Sequence, residues 1–121
     1  MKAKNETGII DETLAKELAE DRNKKLEIMR VRNIACVTAK CAVSDLSKET
    51  SNSIIARLLI MTYLLGRGFA TVDITKASTI AKKDIDAQLE RYYKIKERSS
   101  HFREMEASFL KKIEIASPPE K

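Results

Sequence analysis

An all-α fold is predicted by three features of the sequence. Only three glycines and two prolines occur in 121 residues, and both prolines fall in the closing "SPPEK", so nothing between Gly8 and Gly66 punctuates the chain as β-turns would. Apolar residues recur at steps of three and four over long stretches, the signature of buried helix faces. Charged residues make up 34% and aromatics only 5%, which fits a bundle of long helices. The length is one domain's worth. The expected layout is a disordered N-terminus over residues 1–9, a single helical domain over 10–116 and a disordered tail over 117–121. Three to five helices are expected, with long N- and C-terminal helices around an apolar central one.

The first helix is expected to start at Asp11, an N-cap followed by Glu12 in the first turn, where a carboxylate suits the helix dipole. Its apolar positions are Leu14, Leu18, Leu26, Met29, Cys36, Val37 and Val43, widened later by Val31 and Ile34. The early turns read as half exposed and the later "NIACVTAKCAVSDL" as buried, so the helix should protrude at its start, toward a partner. Cys36 and Cys41 are five apart, which on one helix points them to different faces; two buried reduced thiols, without bridge or shared metal, are expected.

The polar "SDLSKETSNS" offers caps for a second helix starting between Ser47 and Ser53 and running to Leu65. Ile54, Ile55, Leu58, Leu59, Ile60, Met61, Tyr63, Leu64 and Leu65 cover nearly its whole circumference, as befits a central core helix. Gly66 stands where a left-handed C′ residue would end it. Its apolar run "IIARLLIMTYLL" contains Arg57 and is too short for the ~20 residues of a membrane span. With no basic leader and apolar segment at the start, a cytoplasmic protein is expected.

The stretch "ITKASTIAKKDIDAQL", Ile74 to Leu89, admits two parsings. It is either a helix broken at Ser78–Thr79 or the start of one long packing helix. Beyond it a stripe of Ile85, Leu89, Tyr92, Ile95, Ser99, Phe102, Met105, Phe109 and Ile113 predicts a long C-terminal helix, stopped by the prolines after Ser117.

In the broken parsing, Ile74, Ile80, Ile85 and Leu89 fall where a helix-turn-helix wants its four inward anchors, and Lys82 and Lys83 fall at the outward start of the second helix. The stretch thus resembles bacterial helix-turn-helix regulators over about twenty residues, within a candidate tri-helical unit at 51–93. Thr75 stands where that family prefers alanine, Ser78 where it prefers a buried aliphatic, Thr79 where it prefers the turn glycine, and Ala81 where it prefers a hydroxyl cap. A positive φ at Thr79 would strain a β-branched residue.

The resemblance implies binding of double-stranded DNA, with Lys82, Lys83, Asp86, Ala87 and Arg91 facing the groove and the basic tract from Lys94 to Arg103, including Lys94 and Arg98, adding phosphate contacts. Gln88 could address adenine; Asp84, Asp86 and Glu90 are acids on or beside the same face, and could pair with neighbours within the helix. The chain carries 23 Lys and Arg against 18 Asp and Glu, and "RYYKIKERSSHFR" alone holds five basic residues against Glu97. Tyr92 and Phe102 lie in phase with the apolar stripe and read as core, whereas Tyr93 does not and is a candidate for stacking on a base.

The lone His101 has no second imidazole with which to hold a metal. Asp84 and Asp86 are two apart and point away from each other on a helix, and no nucleophile elbow, phosphate-cradling loop or metal-spaced carboxylate set occurs. A non-enzyme without cofactor is expected. The long helices predict a homodimer with coiled-coil character. The alternative function is a helical adaptor or assembly protein that docks on a partner helix and binds no nucleic acid.

Overall fold

The computed structural model describes the backbone of residues 4–116 and the side chains from Thr13 onward. The protein is all-α, with five helices: α1 (Lys4–Ala39), α2 (Ser51–Gly66), α3 (Thr71–Ser78), α4 (Ile85–Arg98) and α5 (Ser100–Ala116). No strand occurs among the described residues. The tail expected at 117–121 and the first three residues lie outside the described range. The helix start expected at Asp11 is corrected: α1 begins at Lys4, so residues 4–9 belong to it.

Helix α2 is the centre. Leu58, Leu59, Ile60 and Met61 are successive and all fully buried, which requires neighbours on every side of the helix. These are α1, α3, α4 and α5. Val31, Ala35, Cys36 and Ala39 face the core from α1, Ile74 and Ala77 from α3, and Phe102, Phe109 and Ile113 from α5. Tyr63 of α2 meets Phe109 of α5 edge to face at 5.9 Å. Residues 13–26 of α1 are exposed throughout, and burial begins only near Ile28. The expected gradient along this helix is therefore present, with two exceptions: Val37 is exposed, and Val43, expected on the same helix, is exposed in the 3-10 turn after it.

Three helix ends close by left-handed residues. At α1, Lys40 (φ 60) lets its own N–H reach Val37 O and the Cys41 N–H reach Cys36 O, at 3.1 and 2.9 Å. This double bond is the Schellman closure, and it brings the side chains on either side of it together. The expectation that Cys36 and Cys41 diverge is thereby corrected, because the helix ends at Ala39 before its geometry applies to Cys41. The two thiols are neighbours, and burial followed by the nearby Cys41 raises the pKa of Cys36 to about 11. Cys36 is buried as expected, Cys41 only half so, and both are free thiols.

At α2 the same closure is made by Gly68 (φ 84), with Gly68 N–H on Leu65 O at 3.0 Å and Phe69 N–H on Leu64 O at 3.1 Å. Gly66, expected in this role, is instead the last helical residue. The start of α2 falls where the sequence placed it: Thr50 is the N-cap, its Oγ1 accepting from Ser53 N–H at 3.2 Å. Arg57, in the middle of the apolar run, is buried and satisfied, donating to Leu46 O at 2.7 Å and Lys48 O at 2.6 Å. It anchors the α1–α2 connection, whose single 3-10 turn spans Val43–Asp45, to the core helix.

The single long C-terminal helix is corrected to two. Ser99 is extended (φ −119, ψ 110); its N–H closes α4 on Ile95 O at 2.8 Å, while its Oγ accepts from Phe102 N–H at 3.0 Å as the N-cap of α5. The chain turns there, and α5 returns along α1 and α2.

Candidate nucleic-acid interface

Helix α3 is only eight residues long and ends at Ser78. Thr79 then adopts the left-handed conformation (φ 63, ψ 11), and its N–H bonds to Thr75 O at 2.8 Å, closing the helix by one αL bond. The break at Ser78–Thr79 is present, and the continuous helix through this stretch is not. Thr79 bears the strain foreseen for a β-branched residue with positive φ.

Two features hold the turn against that strain. Ser78 has no solvent exposure, and its hydroxyl donates to Ile74 O at 2.7 Å while accepting from Ile80 N–H at 3.2 Å. One small polar group thus satisfies the last carbonyl region of α3 and the first amide after the turn, which an aliphatic side chain could not do. Ile80 itself is 4% exposed and packs into the core. Thr75 is less well served: its Oγ1 is buried without a hydrogen-bond partner, at a position where alanine would suit the close packing.

After Ile80 the chain is extended at Ala81 and makes one 3-10 turn, Lys82–Asp84, that runs into α4. No side-chain cap closes this end, since Ala81 has no hydroxyl, and the Asp84 N–H bonds to Ala81 O at 2.9 Å instead. Ile85 is buried and Leu89 packs half-buried against the core, so Ile74, Ile80, Ile85 and Leu89 all point inward as expected.

The opposite side of α4 is outward. Lys82 and Lys83 are exposed at its start, and Asp86, Ala87, Arg91, Lys94 and Arg98 are all exposed along it. Asp86, Glu90, Lys94 and Arg98 form one i,i+4 row, with Lys83, Ala87 and Arg91 on the adjacent row. Six of the seven sequence-predicted residues therefore lie on these two adjoining rows, and Lys82 is exposed just before them in the 3-10 turn. No ion pair among the described residues joins Asp86, Glu90 and Arg91, so the self-pairing that the sequence allowed on this face is not made. Lys82, Lys83, Arg91, Lys94 and Arg98 outnumber Asp84, Asp86 and Glu90 on or beside it, and the positive end of the helix dipole adds to the field at the lysines.

The other basic residues of the tract, Lys96 and Arg103, are exposed but paired within the protein. Tyr92 is buried, meets Phe102 edge to face at 5.7 Å and donates to the Glu106 carboxylate. Lys96 pairs with the same carboxylate at 3.3 Å, and Arg103 donates to the carbonyls of Lys96 and Glu97 at 2.6 and 3.1 Å. Burial and the bond to Glu106 raise the Tyr92 pKa; the bonds to Tyr92 and Glu106 raise that of Lys96. Phe102 is core, whereas Tyr93 is 63% exposed beside Lys94. His101 is exposed, and no metal-holding group of His, Cys, Asp and Glu exists among the described residues.

Sequence reasoning missed Ser78 and Ser99 as the residues that hold the two chain reversals. The signal for Ser99 was the "SS" pair between two charged, in-phase segments; for Ser78 it was a hydroxyl one residue before the break. No helix among the described residues is long and apolar enough to cross a membrane. The chain matches no protein-family model, no curated protein and no solved structure.

Proposed function

We propose that the protein is a dimeric, sequence-specific DNA-binding regulator that uses α3, the Thr79 turn and α4 as a helix-turn-helix. The observation that carries this reading is the left-handed break at Thr79, which buries Ile80 and starts a new helix with Lys82 and Lys83 on its open side. In this role α4 enters the major groove, Arg91 addresses a base edge or phosphate, and Lys94 and Arg98 contact the backbone. Asp86 faces the same groove, where a carboxylate accepts from a cytosine amine and rejects other bases. Two copies place their α4 helices about 34 Å apart on an inverted repeat.

Selection from random duplex DNA at physiological salt tests this reading, since non-specific phosphate binding is weak there. An enriched inverted repeat is expected. Lys82→Glu combined with Lys83→Glu should abolish retention without altering fold or dimer, and survival of the affinity would reject the site. A second reading, a helical adaptor without nucleic acid, draws support from the exposed leucines of α1. Absence of any retained DNA favours it.

A further inference from the structure

The Schellman closure of α1 brings together two reducing groups, the thiols of Cys36 and Cys41, which the proposed DNA contacts do not involve. The Cys41 N–H bonds to Cys36 O at 2.9 Å. Through that bond the path from one Cα to the other spans at most about 6.8 Å even when fully stretched. Disulfides form across Cα separations of about 4.4 to 6.8 Å. Side chains at these two positions of the motif commonly touch, and here the two thiols are neighbours. Both are free, and no other cysteine occurs in the chain.

The two thiols differ in access. Cys36 is 2% exposed within the core, and burial pushes its pKa up to about 11, so it stays protonated and out of reach of a dissolved reagent. Cys41 is half-buried and lines a surface cavity of about 290 Å³, bounded otherwise by polar side chains such as Lys48 and Thr50, with room for a small polar oxidant. Its thiol donates to Ala42 O at 3.2 Å and lies 3.5 Å from Ser53 Oγ, weak sulfur contacts that leave its side chain free to turn toward Cys36. An accessible thiol with a second thiol poised beneath it is the arrangement of a sulfur pair that opens and closes by oxidation.

We propose that Cys36 and Cys41 are a peroxide-responsive pair that closes to an intramolecular disulfide across the end of α1. The Cys41 thiolate attacks one oxygen of a small hydroperoxide and the O–O bond breaks. The other oxygen leaves, with the proton the thiol gave up, as water or an alcohol, and Cys41 becomes a sulfenic acid. The Cys36 sulfur then attacks the Cys41 sulfur, forming the S–S bond and breaking S–O, and the Cys36 proton departs with the hydroxyl as water. The two thiols lose two electrons in all, and one peroxide gains them. The bridge stands where α1 passes into the 3-10 turn at Val43–Asp45, so oxidation fastens covalently a helix end that two backbone hydrogen bonds hold in the reduced chain. This inference is independent of DNA binding and of dimer formation.

Treatment of the full chain with one equivalent of hydrogen peroxide at neutral pH, followed by mass spectrometry, tests the pair. A loss of about 2 Da, for two hydrogens, is expected, with monomer mobility on a non-reducing gel and recovery of the original mass after dithiothreitol, which is itself oxidised to its cyclic disulfide. Trypsin cleaves after Lys40, so once free thiols are blocked by alkylation, peptides 33–40 and 41–48 should be recovered joined. Cys36→Ala should instead gain oxygen at Cys41, and Cys41→Ser should lose its remaining thiol about tenfold more slowly than Cys36→Ala does. Circular dichroism checks the fold of both variants, and the joined peptides of the wild-type chain read the bridge without either. A wild-type chain that is inert to peroxide, gains oxygen without joining the two peptides, or joins them only between two copies would overturn the proposal. So would a Cys41→Ser variant oxidised as fast as Cys36→Ala.

Discussion

Thr79 and Ser99 both interrupt a helical run, yet the two interruptions are built oppositely. At Thr79 the backbone turns left-handed and the chain re-enters a helix after Ile80 and the extended Ala81. At Ser99 a single extended residue separates α4 from α5. The hydroxyl that holds the first break is fully buried and bonds on both sides of it, to Ile74 O and Ile80 N–H. The hydroxyl that holds the second is half-buried and caps only the helix that follows. A break fastened from both sides holds the relation of the two helices it joins. A break capped on one side can be reinforced elsewhere, and here the Tyr92–Glu106–Lys96 cluster performs that task across the corner.

The largest effect should therefore follow from Ser78→Ala. It leaves the Ile80 amide buried without its partner, a loss of about 1 to 3 kcal/mol. Chemical denaturation should read this loss, and DNA affinity should fall with it if the turn sets the angle of α4. A cost as small as that of an exposed serine would mean that the hydroxyl does not fasten the turn. Thr79→Gly should act in the other direction. Relief of the left-handed strain of a β-branched residue, offset by the greater freedom of glycine in the unfolded chain, leaves a gain of roughly 1 kcal/mol. A loss of stability on this substitution would show that Thr79 makes contacts that outweigh its backbone strain.

The difference between the two breaks also explains what could be read from the sequence. The apolar stripe through Ile85, Leu89, Tyr92, Ile95, Phe102 and Phe109 is the same whether the helix is whole or bent, because residues on both sides of Ser99 face one core. Periodicity reports burial, and a corner that keeps the phase of burial is silent in it. The sequence left the break at Thr79 open between two parsings, although Ile74, Ile80 and Ile85 lie six and five residues apart, a spacing one straight helix does not bury on a single face. The outward residues of α4 followed from that phase. The proximity of Cys36 and Cys41 and the shift of the left-handed glycine from Gly66 to Gly68 were not legible, since both depend on where a helix ends to within two residues.

Ser99→Ala should cost less than Ser78→Ala, roughly 0.5 to 1 kcal/mol for a lost cap. The corner it weakens is then held by Tyr92, Glu106 and Lys96, and this cluster gives it a pH dependence. Tyr92 and Lys96 both hold their protons more tightly in the fold than at their ordinary values of 10.0 and 10.5. Their contribution is complete below those values and is lost as the pH rises through the raised folded-state values, since the unfolded chain releases the protons first. Denaturation midpoints measured between about pH 8 and 11 should fall at the alkaline end, and the fall should be steeper in the Ser99→Ala variant if cap and cluster share the corner. Tyr92→Phe removes the phenol that binds both partners and should flatten the alkaline decline while lowering stability at neutral pH. An undiminished decline in that variant would place the alkaline sensitivity elsewhere in the molecule and leave the Ser99 cap as the main fastening of the second break.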